Sequence, residues 1–470
     1  MRKIISSLIF LIFIITNCKT TNEDLIPQMD FSNNKEALWD GCNSRDFFQP
    51  IVGYIADTEK TKYGGHSKYY INGILDINKD GRDDLFITEY GKLMNTNFFL
   101  LSKGDGTFFR NNNIIIGNNK RIHIRNISIK DYNKDGNLDI FGFTSGRTDE
   151  ENIKGIRGGE TNILLLSNKD KYEVKTPPYI NKKEYGHGGD SADIDNDGDI
   201  DVFVPMPNGD DRSYFLINDG KGNFTLDKSE KRFDSDILYN FLLGDNQFDH
   251  AFFSDLNNDS YQDLILLTAY NSKENKKRSV TIVYNDKKGN FSLRNFSIIA
   301  DHFSEMIKNY NKGKITSVVN VYDFDQDGYK DLFIGQHLVL DIWGNNYILV
   351  LKNIDGKRFL DVTNKVIPEQ RVNLDRFYDT GYAQYIEFKD LNNDGLKDII
   401  VATDNPKKVL YDKKNISLES SHAKIWNFKW NHTGRGWLNS KYKAYPYIFM
   451  QTKNRTFLPI KKNNFHNLFQ

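Results

Sequence analysis

One acidic nonapeptide, Asp-x-[Asp/Asn]-x-Asp-[Gly/Ser]-x-x-Asp, recurs six times, starting at Asp76, Asp131, Asp193, Asp255, Asp323 and Asp390. The starts lie 55 to 68 residues apart. A period of this length marks one structural unit repeated along the chain, with neighbouring units sharing a core. A repeat architecture is therefore the first expectation.

The loop chemistry points to a divalent cation, and calcium comes first. Calcium takes about six to eight oxygen ligands at about 2.3–2.6 Å in a flexible cage. Carboxylates at loop positions 1, 3 and 5 point inward as the chain curls. Glycine at position 6 supplies the sharp bend, since it takes positive φ without steric cost. The backbone carbonyl at position 7 and the carboxylate at position 9 close the cage. The expected ligands are Asp76, Asn78, Asp80 and Asp84 in the first loop and Asp131, Asn133, Asp135 and Asp139 in the second. They are Asp193, Asp195, Asp197 and Asp201 in the third, and Asp255, Asn257, Asp259 and Asp263 in the fourth. The fifth has Asp323, Asp325, Asp327 and Asp331, and the sixth Asp390, Asn392, Asp394 and Asp398. Crowded like charges repel until a cation reverses the sign, so binding and local folding are coupled. Loops three and five, with four carboxylates each, are expected to bind tightest. Loop four, with Ser260 at the glycine position, is expected to bind most weakly.

A helix–loop–helix calcium hand requires glutamate at position 12. Ile87, Gly142, Val204, Leu266, Ile334 and Val401 stand there instead, which excludes that class. Each loop is followed by a short β-branched or aromatic run, as in Val202-Phe203-Val204 and Leu332-Phe333-Ile334. Runs such as Val318 to Tyr322 precede it. Each loop therefore joins two strands. Between the loops a second signal recurs: an apolar strand, a Gly/Asn/Asp/Lys turn, then an aromatic. It runs from Phe98 to Phe108, Ile163 to Tyr172, Tyr214 to Phe224, Val283 to Phe291, Ile348 to Phe359 and Tyr447 to Phe457. That is a β-hairpin, and loop strands plus hairpin make four strands per repeat.

The alternation of acidic loop and glycine-aromatic hairpin over about residues 65–460 resembles the FG-GAP/VCBS repeats of integrin-α-like β-propellers. The resemblance implies an all-β propeller of four-stranded antiparallel blades, with structural calcium, up to six ions, between the first two strands of each blade. The literal Phe-Gly…Gly-Ala-Pro signature is absent, Phe141-Gly142 coming nearest, so the VCBS side fits better. Six loops imply six blades. A seventh stays open because Phe47 to Tyr54, in residues 44–65, has strand character; that segment is alternatively expected to complete the last blade.

Arg2 and Lys3 precede an apolar stretch from Ile4 to Ile15, too short for a bilayer and suited to a signal peptide. Ile15-Thr16-Asn17-Cys18 resembles a bacterial lipobox, which implies a lipidated Cys18 on an exported protein of the outer membrane or cell surface. The expected organisation is a signal peptide over 1–17, a tether over 18–43, and a propeller over 44–470 with an inserted loop near 405–442. Cys42 is the second of two cysteines, so acylation of Cys18 leaves no intrachain disulfide. The 63 acidic and 63 basic residues balance, which argues against nucleic acid as a partner.

Candidate ligand residues fall into two groups. His187, Asp190, Asp249, His250 and Asp379 begin first strands, and so sit at the face opposite the acidic loops. Cross-linking of neighbouring strands is the simpler role for His187 and Asp190. Trp426, Trp430 and Trp437 cluster in the 405–442 segment with His422, His432 and Arg435. Aromatic side chains with arginine suit contact with sugar or protein. A protein or glycan partner is the leading functional expectation. The alternatives are a polysaccharide-active enzyme at the channel mouth, and a purely structural envelope component.

Overall fold

The computed structural model describes residues 54–60, 66–82, 84–90, 97–102, 108–111, 113–117, 124–144, 161–168, 170–176, 188–205, 213–228, 232, 248–268, 280–299, 314–339, 343–368, 382–390, 394–404 and 447–459. The described segments are strands joined by turns, with one short helix, α1 (Thr363–Val366).

The strands form six sheets among the described residues. The first holds β1 (Tyr54–Lys60), β2 (His66–Leu75), β3 (Asp84–Tyr90), β4 (Phe98–Ser102) and β5 (Phe108–Asn111), in that order. The second contains β6 (Ile115–Ile116), β7 (Ile124–Lys130), β8 (Asp139–Thr144), β9 (Ile163–Asn168) and β10 (Lys171–Lys175). Its last four strands run in sequence order, and β6 adds in parallel beside β10. The third has β11 (Asp190–Ala192), β12 (Asp201–Val204), β13 (Tyr214–Asn218) and β14 (Phe224–Lys228). The fourth has β15 (Phe248–Ser254), β16 (Asp263–Thr268), β17 (Val280–Asn285) and β18 (Phe291–Ile299). The fifth has β19 (Lys314–Tyr322), β20 (Asp331–Val339), β21 (Trp343–Asn353) and β22 (Phe359–Asp361). The sixth has β23 (Tyr382–Lys389), β24 (Asp398–Asp404), β25 (Tyr447–Gln451) and β26 (Phe457–Pro459). Apart from β6, each is an antiparallel meander with neighbours in chain order, as the loop-and-hairpin pattern predicts.

Of residues 44–65, expected to open a seventh blade or to complete the last one, the structure describes Tyr54–Lys60. β1 pairs with β2, Tyr54 opposite Tyr70, and so becomes a fifth strand of the first sheet rather than part of the last one. The physical reason is local: five residues separate β1 from β2, which favours a hairpin over a long-range pairing.

Among the described residues, sheets stack on their neighbours through five apolar cores, each shared by two consecutive sheets. Phe86 and Phe99 of the first sheet meet Ile140 and Leu165 of the second. Phe203 and Phe215 of the third meet Leu264, Val283 and Phe291 of the fourth, with the Phe215 and Phe291 rings stacked at 5.5 Å. Val318, Phe324 and Phe333 of the fifth meet Ile386, Phe449 and Phe457 of the sixth. Strands such as β8 and β17 are buried along their whole length. A strand covered on both faces reads as a continuous apolar run rather than an alternation, and that is how these segments read. The first strands of successive sheets also lie against one another, β2 on β7, β7 on β11, β11 on β15, β15 on β19 and β19 on β23. First strands inside and hairpins outside is blade geometry. It sends every acidic loop, which joins strand one to strand two, to the same end of the assembly. No helix of the described residues is long and apolar enough to cross a membrane.

Candidate metal centres

Each acidic loop is held by a repeated set of bonds. The position-1 carboxylate accepts the position-6 N–H: Gly81 to Asp76 at 2.8 Å, Gly136 to Asp131 at 2.8 Å and Gly328 to Asp323 at 3.0 Å. The position-5 carboxylate accepts the position-7 N–H, as Arg82 to Asp80 and Tyr329 to Asp327. The bend at position 6 is left-handed throughout, from φ 81° at Gly136 to 94° at Gly328. Ser260 takes the same conformation at φ 72°, against its side chain. Position 4 is left-handed as well, at Lys79, Lys134, Asn196, Asn258 and Gln326, a second bend with no glycine to announce it. Ser260→Gly is expected to stabilise the protein by about 0.5–1 kcal/mol by removing that strain. Scanning calorimetry checks this, and a lowered melting temperature would mean that the serine side chain makes a contact worth more than its strain.

The position-9 aspartates do more than face an ion. Asp84, Asp139, Asp201, Asp263, Asp331 and Asp398 are all buried. One oxygen accepts the position-2 N–H of its own loop, from Ile77, Tyr132, Leu256 and Phe324 at 2.9–3.2 Å. The other accepts an N–H at the end of the third strand, from Ser167, Asn218, Asn285, Asn353 and Gln451 at 2.7–3.0 Å. Position 9 thus ties loop and hairpin together. Burial pushes these carboxyls up, against the pull of the backbone bonds: Asp201 to about 8, and Asp263 and Asp331 to about 7. Burial also raises Asp139 and Asp193.

Among the described residues, two groups bring three carboxylates together with oxygens within 4.8 Å: Asp193, Asp195 and Asp197, and Asp323, Asp325 and Asp331. These are loops three and five. Loop three keeps the bonds to the position-6 and position-7 N–H groups but lacks the position-2 bond to position 9. Asp193 Oδ1, Asp195 Oδ1 and Asp201 Oδ2 are buried and have no hydrogen-bond partner. In loop five Asp325 Oδ1 is in the same condition. An unpartnered buried carboxylate oxygen is costly, and an all-oxygen set of them fits a hard cation. The asparagine loops instead satisfy themselves. Asn78 donates to Asp80 at 2.9 Å and Asn133 to Asp135 at 3.1 Å, so position 3 there removes a charge and also occupies its neighbour. In the sixth loop Asp390 accepts from Gly395 and Asp394 from Leu396; Asn392 lies outside the described residues.

Two linkages between blades carry no obvious mark in the loop motif. Position 4 reaches the next loop: Lys79 to Asn137, Lys134 to Asp199, Asn196 to the Ser260 carbonyl at 3.4 Å, and Asn258 to the Gly328 carbonyl at 2.8 Å. The last residue of the third strand reaches back to the preceding loop. Asn218 donates to the Tyr132 carbonyl, Asn285 to that of Ile194, Asn353 to that of Leu256 and Gln451 to that of Phe324, all at 2.7–2.8 Å. The recurrence of Asn at 218, 285 and 353, at the ends of matching strands, was the available signal.

At the opposite strand ends, Asp190 is a cross-link. Its Oδ2 accepts the Phe253 N–H of the next blade at 3.0 Å, and its Oδ1 accepts the Ser191 N–H and, at 3.4 Å, the Ser128 hydroxyl of the previous blade. Burial pushes its carboxyl up. His250 is buried on β15, and Gly188 makes room between it and Asn126: a Cβ at Gly188 would stand 2.7 Å from the His250 ring and 2.9 Å from Asn126 Nδ2. Asp249 lies at the register shift between Phe248 and His250, where its side chain is not described. Cys18, His187, Asp379, Trp426, Trp430 and Trp437 fall outside the described residues, as does the whole 405–442 segment.

The FG-GAP-like repeat model matches residues 76–142, 255–334 and 323–401, each stretch beginning on the first aspartate of a loop. No curated protein matches the chain. Among solved structures, the biofilm matrix protein Bap1 of V. cholerae is 14% identical with a TM-score of 0.28, over 60% of this chain and 35% of that one. The chain thus spans about a third of Bap1. A rhamnogalacturonan lyase of Bacillus licheniformis is 12% identical with a TM-score of 0.33, over 75% and 74%. The Dos1 propeller is 8% identical with a TM-score of 0.37, over 74% and 80%. Scores this low leave the fold to be read from the strands themselves. Six meander sheets with shared cores, and repeat matches that begin on the acidic loops, give one conclusion: the chain carries FG-GAP-like repeats and is a β-propeller.

Proposed function

We propose that this is an exported, calcium-stabilised propeller that presents a rigid surface to a protein or glycan partner. The observation that carries the calcium reading is the set of unpartnered buried oxygens of Asp193, Asp195 and Asp201 in loop three. Calcium is abundant outside the cytosol, so even sites of about 10⁻⁴–10⁻³ M affinity fill there. With Asp197, these residues would hold the ion, which would neutralise the crowded carboxylates and pin the start of strand two. In the other loops, the carboxylates at positions 1, 5 and 9 with the residue at position 3 form the corresponding set. Export is supported by the charged, then apolar, N-terminus and Cys18, the outer membrane or cell surface being the expected address. Partner binding is supported by the tryptophans at 426, 430 and 437 with Arg435, in a chain whose described carboxylate at the opposite face, Asp190, is committed to structural bonds.

The test is retention of the full chain on a panel of polysaccharides and envelope proteins in calcium, beside a variant lacking residues 405–442. The reading expects at least one ligand to be retained, and lost with the deletion while the melting temperature is kept. Turnover of a polysaccharide would replace it with the enzyme reading. No retention on any member would leave the structural-component reading in its place.

A further inference from the structure

Loops three and five have the same four aspartates, but they differ in how a cation meets them. The Lys352 ammonium, on β21, sits on Asp325 and also lies 2.9 Å from Asp327. Those are positions 3 and 5 of loop five, two of the carboxylates a cation would need. Strand register identifies the matching residue in the other blades as Leu101, Leu166, Ile217, Tyr284 and Met450, all uncharged. Blade five alone has a cation at this place in the strand. In loop three Lys134 pairs with Asp199, which is not one of the four aspartates, and Arg232 Nη2 stands 3.5 Å from Asp195. That guanidinium is already held by Asp227 at 2.8 Å and by the Gly289 carbonyl at 2.9 Å. Loop three keeps three unpartnered buried oxygens where loop five keeps one; the extra two, on Asp193 and Asp201, match oxygens of Asp323 and Asp331 that accept backbone N–H groups in loop five.

We propose that Lys352 is a tethered counter-cation that competes with calcium for loop five, so that loop five fills only at higher calcium than loop three. The inference rests on the reading of the acidic loops as calcium sites. The ammonium is part-buried, with a quarter of the side chain exposed. It satisfies the Asp325–Asp327 pair when no metal is bound, and must leave those oxygens when one arrives. Burial works against the charge on Lys352, but its bonds to Asp325 and Asp327 outweigh that and raise its pKa. The consequence is a graded response. Loop three is a constitutive site, and loop five responds to changes in external calcium.

Calorimetric titration of the full chain with calcium chloride tests this, comparing the parent with Lys352→Met. The variant is expected to bind one calcium about five- to tenfold more tightly, the effect of removing an ion pair that must be broken on loading. Its melting temperature in chelator is expected to fall below the parent's, because the aspartates then lose their counter-charge, and to recover in calcium. Adding Asp323→Asn to Lys352→Met should abolish the gain, which assigns it to loop five. If Lys352→Met does not fold in chelator, Lys352→Gln, which keeps a donor without the charge, carries the same expectation. A parent that binds calcium, with an unchanged or weakened isotherm in the folded variant, overturns the role of Lys352 alone. A parent that binds no calcium overturns the reading of the loops, and this inference with it.

Discussion

In excess chelator the protein is expected to melt about 3 to 15 °C below its calcium-loaded form. At 1 mM calcium, a site of about 10⁻⁴ M affinity contributes ~1.4 kcal/mol through mass action. Loops three and five alone then supply ~3 kcal/mol, and six filled loops ~8 kcal/mol. In a chain this long, each kcal/mol moves the transition by about 1–2 °C. Scanning calorimetry in calcium and in EDTA checks the shift, and elemental analysis counts the ions. Absence of bound alkaline-earth metal together with an unchanged transition would remove calcium from this protein altogether.

The pH dependence gives that experiment a second axis. Burial raises Asp201, Asp263 and Asp331 above an ordinary carboxyl, to about 8, 7 and 7. In the metal-free protein the folded state therefore holds protons that the unfolded chain has released. Linkage makes stability fall with pH in that window. The metal-free transition should drop from about pH 4, where the unfolded aspartates ionise, through pH 7–8, where the folded ones do. Calcium reverses the trend, because it binds the ionised form and protons displace it at low pH. The gap between calcium and EDTA curves should therefore be widest near pH 8 and close toward pH 5. A gap independent of pH would show that these buried carboxyls take no part in binding.

The largest single-residue effect is expected at the inter-blade latch. Asn285 is 3% exposed and uses both ends of its carboxamide. Its Nδ2 donates to the Ile194 carbonyl at 2.7 Å and to that of Gln262 at 3.2 Å. Its Oδ1 accepts the N–H groups of Lys287 and Gly289 at 2.9 and 3.1 Å. Asn285→Ala leaves four backbone groups without that partner, each worth about 1–3 kcal/mol when buried and unsatisfied. Water reaches the turn side, so a loss of about 3 kcal/mol is expected rather than the full sum. Asn353→Ala should behave alike, since Asn353 donates to the Leu256 and Lys330 carbonyls and accepts from Gly356. Urea unfolding measures both, with exposed Asn113 as a control that should change by less than about 0.5 kcal/mol. Equal effects at Asn113 and Asn285 would refute the latch.

Much of this molecule was legible in its residues, because the signals were local. Aspartates at positions 1, 5 and 9 and a bend at position 6 reveal a loop. The apolar runs beside it reveal strands, and the Asn/Gly turns with a following aromatic reveal hairpins. None of these requires knowing what lies across the fold. Even Ser260 could be singled out in advance, since the motif demands a left-handed residue there. The position-9 aspartates were seen only as ligands, however. Their bonds to the third strand join residues 17 to 53 apart and exist only once the sheet has formed.

What the chain determined by itself was the unit and its chemistry: a four-stranded β repeat with an oxygen-lined turn, made six times. Only the tertiary structure decided how the units are coupled and which turns differ. It set Asn285 against Ile194, carried Lys134 to Asp199, brought Lys352 onto Asp325 and Asp327, and left Asp201 Oδ2 unpartnered in loop three. The physical reason is range. Dihedral preference and hydrophobic pattern act within a few residues, and repeat faithfully wherever the motif repeats. Charge pairing and desolvation depend on which side chains the packed blades place within a few ångströms, and there copies of one motif diverge.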